Sequence, residues 1–119
     1  MVYQDRICEF SNDTNNENRR YAAYVFRYFS DFPDKEKAWA DLHRLTQDED
    51  SVVRQNAAFA FRIFSDFPDK EKAWADLNCL TQDEDSVVRQ NAARAFISFP
   101  DFPSQTLRRH TQPQQSCGA

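Results

Sequence analysis

The chain has 119 residues, of which 40% are hydrophobic and 29% charged, and its formal net charge is −4. Aromatic residues make up 14% of it, more than a disordered chain carries, so one packed domain is expected. The single glycine is Gly118, which excludes phosphate-cradling loops, dinucleotide fingerprints and nucleophile elbows built on glycine.

A repeat with a period of 35 residues organises the chain. Residues 29–63 and 64–98 align without gaps and differ at only five positions, and the same offset places Arg19 opposite Arg54 in an earlier copy. Periods of this length are typical of solenoids. The register predicts three units, at about 1–29, 30–64 and 65–99, within a repeat domain that spans 1–103.

Each unit is predicted to contain two helices. In the middle unit, Ala38, Leu42 and Leu45 form one stripe of the first helix. The second helix begins after the acidic turn 48–50, whose residues suit an N-cap. Its predicted apolar face consists of Val53, Ala57, Ala60, Phe61 and Phe64. The six predicted helices, the first of them short, lie at about 2–11, 16–29, 34–47, 51–64, 69–82 and 86–99.

The predicted fold class is all-α, a short α-solenoid of about three stacked antiparallel helix pairs. A single helix pair cannot bury its apolar stripe alone, so neighbouring pairs must stack. Small residues on the second helices would let those helices approach closely. They are Ala22, Ala23, Ala57, Ala58, Ala92 and Ala93.

The segment 48–61 resembles the phycobilisome-lyase type of HEAT-like repeat. Its sequence is Asp-Glu-Asp-Ser-Val-Val-Arg-Gln-Asn-Ala-Ala-Phe-Ala-Phe. The family pattern is roughly D-x-D-x-x-V-R-x-x-A-A-x-A-L, followed by A-x-x-x-L-x-x-L, which Ala73, Leu77 and Leu80 supply here. The pattern recurs in full in the third unit and, eroded, in the first. The glycine that usually follows the second helix is absent, and Phe-Ser-Asp-Phe-Pro makes the link instead.

Tetratricopeptide repeats are the alternative family. Their period is 34 residues, and Trp39 and Leu42 match their opening pattern. Gln55 stands where that family places an alanine. The HEAT-like interpretation is therefore preferred.

The resemblance also implies a ladder between adjacent units, in which a turn aspartate and a second-helix arginine meet. The arginine fork can bridge carboxylate and backbone oxygens of two units, and the helix dipole favours the acid. We expect these residues to be scaffold rather than site. The pairs carried over from the family are Asp13/Arg19, Asp48/Arg54 and Asp83/Arg89.

The resemblance places the second helices on the concave side of the array, where a partner would bind. Arginine and aromatic residues, which are enriched at interface hot spots, are predicted to face outward there. The alternative is that Phe59 and Ile97 only fill the packing between units. We refer to this predicted partner-binding set as the second-helix face: Arg20, Tyr24, Arg27, Gln55, Phe59, Arg62, Gln90 and Arg94.

The predicted function is a non-catalytic scaffold or adaptor that binds an unidentified protein partner. The alternatives are an accessory subunit of a lyase or protein-modifying enzyme and a nucleic-acid-binding HEAT-like module, which the negative charge disfavours. No catalytic, cofactor or metal site is predicted. His43 becomes Asn78 in the next unit and is expected to be an exposed helix residue. Helix capping explains the acidic turns better than Ca²⁺ does.

The remaining expectations concern location and the tail. Cys8, Cys79 and Cys117 are odd in number and widely spaced, which argues against a disulfide framework or zinc site and favours a cytoplasmic protein. No apolar stretch is long enough to span a membrane.

Residues 104–119 break the repeat and are predicted to be disordered. The last helix pair would then expose apolar surface such as Phe96 and Phe99, favouring self-association.

Overall fold

The computed structural model describes residues 2–28, 31–63 and 68–97. Within these ranges the chain forms α1 (Val2–Ser11), α2 (Asn16–Tyr28), α3 (Lys35–Leu45), α4 (Ser51–Ala60), α5 (Lys70–Leu80) and α6 (Ser86–Ile97). The predicted all-α fold is confirmed, and every predicted helix start lies within one residue of the observed one. The predicted boundary of the disordered tail falls outside the described residues.

Aspartate side chains set the starts of the central helices. Asp50 accepts hydrogen bonds from the backbone amides of Val52 and Val53, at 2.8 and 3.2 Å. Asp34 and Asp69 cap α3 and α5 in the same way. These caps satisfy amide groups that have no partner within the helix, which is why the starts could be read from the sequence.

Helix α4 ends earlier than its hydrophobic pattern predicted, because its last turn tightens. Arg62 donates to the carbonyl of Phe59 and Ile63 to that of Ala60, at 3.0 and 2.9 Å. These are i→i+3 bonds, which are common at helix ends. The predicted apolar face is still buried, with Val53, Ala57, Ala60 and Phe61 all at 0% exposure. Phe64 lies outside the described residues.

The second helices form the spine of the molecule. Helix α2 packs on α4 and α4 on α6, while α1, α3 and α5 pack against the second helix of their own unit. The predicted stripe of α3 faces this spine, with Leu42 and Leu45 at 0% exposure. Trp39 meets Phe61 edge to face at 6.1 Å between ring centroids. One continuous core therefore runs through the three units.

The linker between α2 and α3 contributes a core residue that the helix pattern did not predict. Phe32 is 2% exposed, and its ring centroid lies 5.0 Å from that of Phe26 and 6.4 Å from that of Tyr3. Nearby, buried Gln4 exchanges two hydrogen bonds with the backbone of Asp34, at 2.8 and 3.1 Å. The linker is thus held by side chains of α1 and α2 without a glycine.

The predicted alanine stripe is buried at every position except one. Ala22, Ala23, Ala57, Ala58 and Ala92 are at 0% exposure, whereas Ala93 is exposed. Ala93 corresponds to Ala58 in the preceding unit. The difference arises because α6 packs on one side against α4, and no later helix follows it in the described part of the chain.

This contrast predicts opposite responses to the same substitution. Ala58→Leu should lower the free energy of unfolding by about 1–3 kcal/mol, because extra methylenes do not fit a close-packed interior. Ala93→Leu should change it by less than about 0.5 kcal/mol, as surface substitutions usually do. Urea unfolding followed by circular dichroism measures both. Equal losses would contradict the described packing of α6.

Candidate interaction surface

An arginine–aspartate ladder joins the units. Arg19 donates through Nε and Nη2 to the two carboxylate oxygens of Asp48, at 2.7 and 3.2 Å. Its Nη1 donates to the carbonyl oxygens of Asp13 and Thr14, at 2.9 and 3.0 Å. The arginine fork therefore bridges a carboxylate of one unit and backbone oxygens of another, as expected.

The next arginine repeats this arrangement. Arg54 binds the Asp83 carboxylate at 2.8 and 3.1 Å and the carbonyl oxygens of Asp48 and Glu49 at 2.8 and 3.2 Å. The expected pairs need correction in one respect, because Arg19 and Arg54 take their carboxylates from the following unit. The aspartate of the same unit offers its backbone carbonyl instead. The Asp48 carboxylate binds Arg19 of the preceding unit, and the Asp13 carboxylate binds Asn15 and Asn18 of its own unit.

The second aspartate of each acidic turn makes a further contact between units. Arg20 binds Asp50 at 2.9 Å between Nη2 and Oδ2, and Gln55 reaches Asp85 at 3.4 Å. Burial would raise the pKa of Asp50, but hydrogen bonds from Arg20, from Asn16 and from two backbone amides outweigh it. They lower the pKa from an ordinary 3.8 to about 2.

Asp50→Asn should reveal this lowered pKa. Asparagine caps a helix nearly as well, so the change mainly removes the charge. A carboxylate whose pKa is lower in the folded state stabilises above its unfolded pKa and loses that effect as pH falls. We expect a loss of about 2 kcal/mol at pH 7 that shrinks between about pH 4 and pH 2. Urea unfolding across pH measures it.

Glu49→Gln is the matched control, since Glu49 is the exposed neighbour of Asp50, with 89% of its side chain exposed. It should cost less than about 1 kcal/mol. A loss for Asp50→Asn that stays constant down to pH 2 would contradict the assigned role of the charge.

Part of the predicted second-helix face serves the contacts between units. Arg20 binds Asp50, Gln55 binds Asp85, and Arg27 donates to Asn56 Oδ1 at 3.0 Å. These three polar side chains join neighbouring units, a role that the sequence did not predict for them. Arg20, Gln55 and Arg27 therefore have a structural role.

Arg27 also meets other members of the face in one compact group. The Arg27 guanidinium lies 4.1 Å from the ring centroid of Phe59 and 5.6 Å from those of Tyr24 and Tyr28. The Arg62 guanidinium lies over Phe59, at 5.2 Å. Such distances allow cation–π attraction. We call these five residues the aromatic–arginine cluster; Tyr28 belongs to it although the sequence pattern did not select it.

The remaining two members lie on α6, apart from this cluster. Gln90 and Arg94 are both exposed. Ile97, near the end of the same helix, is 83% exposed. The structure thus divides the predicted face into contacts between units, the aromatic–arginine cluster and the surface of α6.

His43 is not the exposed residue that the sequence predicted. Its side chain is 35% exposed, and Nδ1 bonds the buried carboxylate of Asp76 in the next unit. Burial raises the pKa of Asp76, and the bond to His43 opposes that rise. The equivalent Asp41 in the middle unit is buried too and bonds Arg44. The His43–Asp76 pair therefore joins the first helices of adjacent units, whereas the Asp41–Arg44 pair lies within α3.

The described residues contain no group of three His, Cys, Asp or Glu side chains that could hold a metal ion. No helix among them is long and apolar enough to cross a membrane. Cys8 is a half-buried free thiol. Cys79 lies within the predicted helix α5 and is disulfide-bonded, which the odd number and wide spacing of the cysteines did not predict.

Stacked helix pairs, joined in register by arginines that reach into the next acidic turn, define an α-solenoid of helical repeats. A family model for HEAT repeats matches residues 5–97. The chain therefore belongs to the HEAT-repeat family. No curated protein and no solved structure matches it.

Proposed function

We propose that this HEAT-repeat chain is a non-catalytic scaffold or adaptor whose aromatic–arginine cluster binds a protein partner. The observation that carries the proposal is the exposure of large aromatic rings beside guanidinium groups. Tyr24 and Tyr28 are 46% and 59% exposed, and they flank Arg27. Tyrosine and arginine are among the residues most enriched at binding hot spots.

The contacts within the cluster support a binding role because they order its side chains before a partner arrives. Tyr24 and Tyr28 meet edge to face, with ring centroids 5.1 Å apart. Phe59 is half-buried, and the guanidinium groups of Arg27 and Arg62 both lie over its ring. A side chain that is already ordered loses less conformational entropy on binding. Stacked HEAT-type repeats commonly present such extended surfaces to partners.

The assignment of the units to a particular type of HEAT-like repeat is part of the same proposal. We infer that the units belong to the phycobilisome-lyase type of HEAT-like repeat, on the strength of the Asp-x-Asp-x-x-Val-Arg pattern in two tandem copies. The absence of glycine-based catalytic motifs from residues 1–117 supports a role without catalysis of its own. The acidic net charge favours a protein partner over nucleic acid.

The test compares partner recovery by the wild-type chain and by a double variant, Phe59→Ala plus Arg62→Ala. The tagged protein is incubated with extract of the native cell, and bound proteins are quantified by mass spectrometry. We expect the specific partner to fall at least about tenfold, as the loss of roughly 1.4 kcal/mol or more at a hot spot requires.

The matched control is Arg6→Ala, which removes an exposed arginine from α1. Both variants are first shown to fold by circular dichroism. Unchanged recovery with the cluster variant, or an equal loss with the α1 variant, would remove the cluster as the binding surface. Binding to DNA with a steep dependence on salt would favour the nucleic-acid alternative.

A further inference from the structure

The ladder ends at an arginine that has only half of its usual contacts. Arg89 donates through Nη1 to the carbonyl oxygens of Asp83 and Glu84, at 2.7 and 3.2 Å. These bonds match those that Arg19 and Arg54 make within their own units. Among the described residues, however, no carboxylate meets the Nε and Nη2 edge of Arg89.

The exposed fractions of the three ladder arginines differ in the same way as their contacts. The side chains of Arg19 and Arg54 are only 12% exposed, whereas Arg89 is exposed. Val87, two residues earlier, is 42% exposed, and Ala93 is exposed where Ala58 is buried. We call Val87, Arg89, Gln90 and Ala93 the terminal arginine face.

We propose that the terminal arginine face binds the acidic helix-capping turn, Asp-x-Asp, of a separate protein. The two interfaces inside the array define this ligand, because both use the same turn. In each, the first aspartate meets the ladder arginine bidentately. The second aspartate meets the next residue along, Arg20 or Gln55. Arg89 and Gln90 occupy these two positions in the last unit.

The bonds that Arg89 already makes favour this role. Its two carbonyl contacts fix one edge of the guanidinium, so the other edge is held ready for a carboxylate. A preordered, bidentate arginine recognises a carboxylate with little further loss of freedom. Exposed Ala93 permits the close helix approach that Ala58 makes inside the array.

Residues 98–119 do not supply this turn. They contain one acidic residue, Asp101, and so lack two carboxylates two positions apart. The acidic turn at 48–50 binds Arg19 and Arg20, and the one at 83–85 binds Arg54 and Gln55.

A second copy would also offer a poor match at its N-terminal end. There Asn18 donates to Asp13 Oδ2 at 3.2 Å, at the carboxylate where a ladder arginine would bind. The second aspartate of the turn is replaced by Asn15. The first unit is therefore closed by its own side chains, whereas the last one is open.

The test is a titration of the whole chain with a synthetic peptide of residues 79–97, carrying Cys79→Ala. The matched control peptide also carries Asp83→Asn and Asp85→Asn. The readout is the Nε–H signal of Arg89 in nuclear magnetic resonance spectra, assigned by its loss in Arg89→Ala. We expect a saturable shift with the acidic peptide and at least about tenfold weaker binding of the control peptide.

Arg89→Lys should also weaken peptide binding, because lysine keeps the charge but not the fork. An unmoved Arg89 signal, equal binding of both peptides, or an equal shift with inorganic phosphate would overturn the proposal. Sedimentation that shows an Arg89-dependent oligomer would overturn it in favour of a second copy. The aromatic–arginine cluster is a different surface, so the variants Phe59→Ala and Arg89→Ala separate the two proposals.

Discussion

Arg54→Ala is expected to lower the free energy of unfolding by about 3–4 kcal/mol, as the loss of one partner of a largely buried ion pair does. The side chains of Arg54 and Asp83 are only 12% and 11% exposed. Removing the guanidinium leaves Asp83 Oδ2 and the carbonyl oxygens of Asp48 and Glu49 without their arginine donor, and leaves Asp83 Oδ1 with the Asp85 amide alone. The midpoint of urea unfolding at pH 7 measures the loss.

Arg89→Ala is the matched control within the same chain, because Arg89 has the same neighbours in sequence and bonds carbonyl oxygens only. It should cost less than about 1 kcal/mol, as an exposed charged side chain does. Similar losses for the two variants would show that the carboxylate of the following unit contributes little to stability.

Phe61→Ala should destabilise the protein by about 3–5 kcal/mol, the usual cost of truncating a buried phenylalanine. Phe61 is at 0% exposure and packs edge to face on Trp39. Whole domains are stable by only about 5–15 kcal/mol, so this variant should be close to unfolding. Differential scanning calorimetry would show a fall in Tm of at least about 10 °C.

Phe61→Leu provides a second variant in case the alanine variant does not fold. It keeps most of the apolar volume and should show a clearly smaller fall in Tm. Phe59→Ala controls for position, since Phe59 is only half-buried. A larger loss at Phe59 than at Phe61 would contradict the described orientation of α4.

Local sequence signals were sufficient to predict where the helices begin and which face of α4 is buried. The aspartates at 34, 50 and 69 accept hydrogen bonds from amides two or three residues later, and such caps depend on nearby residues alone. The apolar stripe of α4 was predicted correctly because spacing along a helix fixes which residues share a face. The end of α4 was predicted too late, because spacing does not reveal a final turn that tightens.

The candidate site was only partly predictable. The period placed Arg27 and Phe59 on equivalent helix faces. It did not predict that the Arg27 guanidinium reaches the Phe59 ring on the next second helix. Tyr28 was missed because it lies outside the selected spacing. The burial of Phe32 could have been predicted, since phenylalanine recurs at the same repeat position, at 67 and 102. His43 differs from its counterpart Asn78, yet only stacking brings it to Asp76.

By itself, the 35-residue repetition of aspartate caps and apolar stripes determined that this protein is a set of stacked helix pairs. Those features act through neighbours a few positions apart, so they can be read along the chain. Only the tertiary structure decided that Arg19 and Arg54 take their carboxylates from the following unit and that Arg89 meets no carboxylate in the described part. Such contacts depend on the distance and angle between helices 29 or more residues apart, which no local pattern contains.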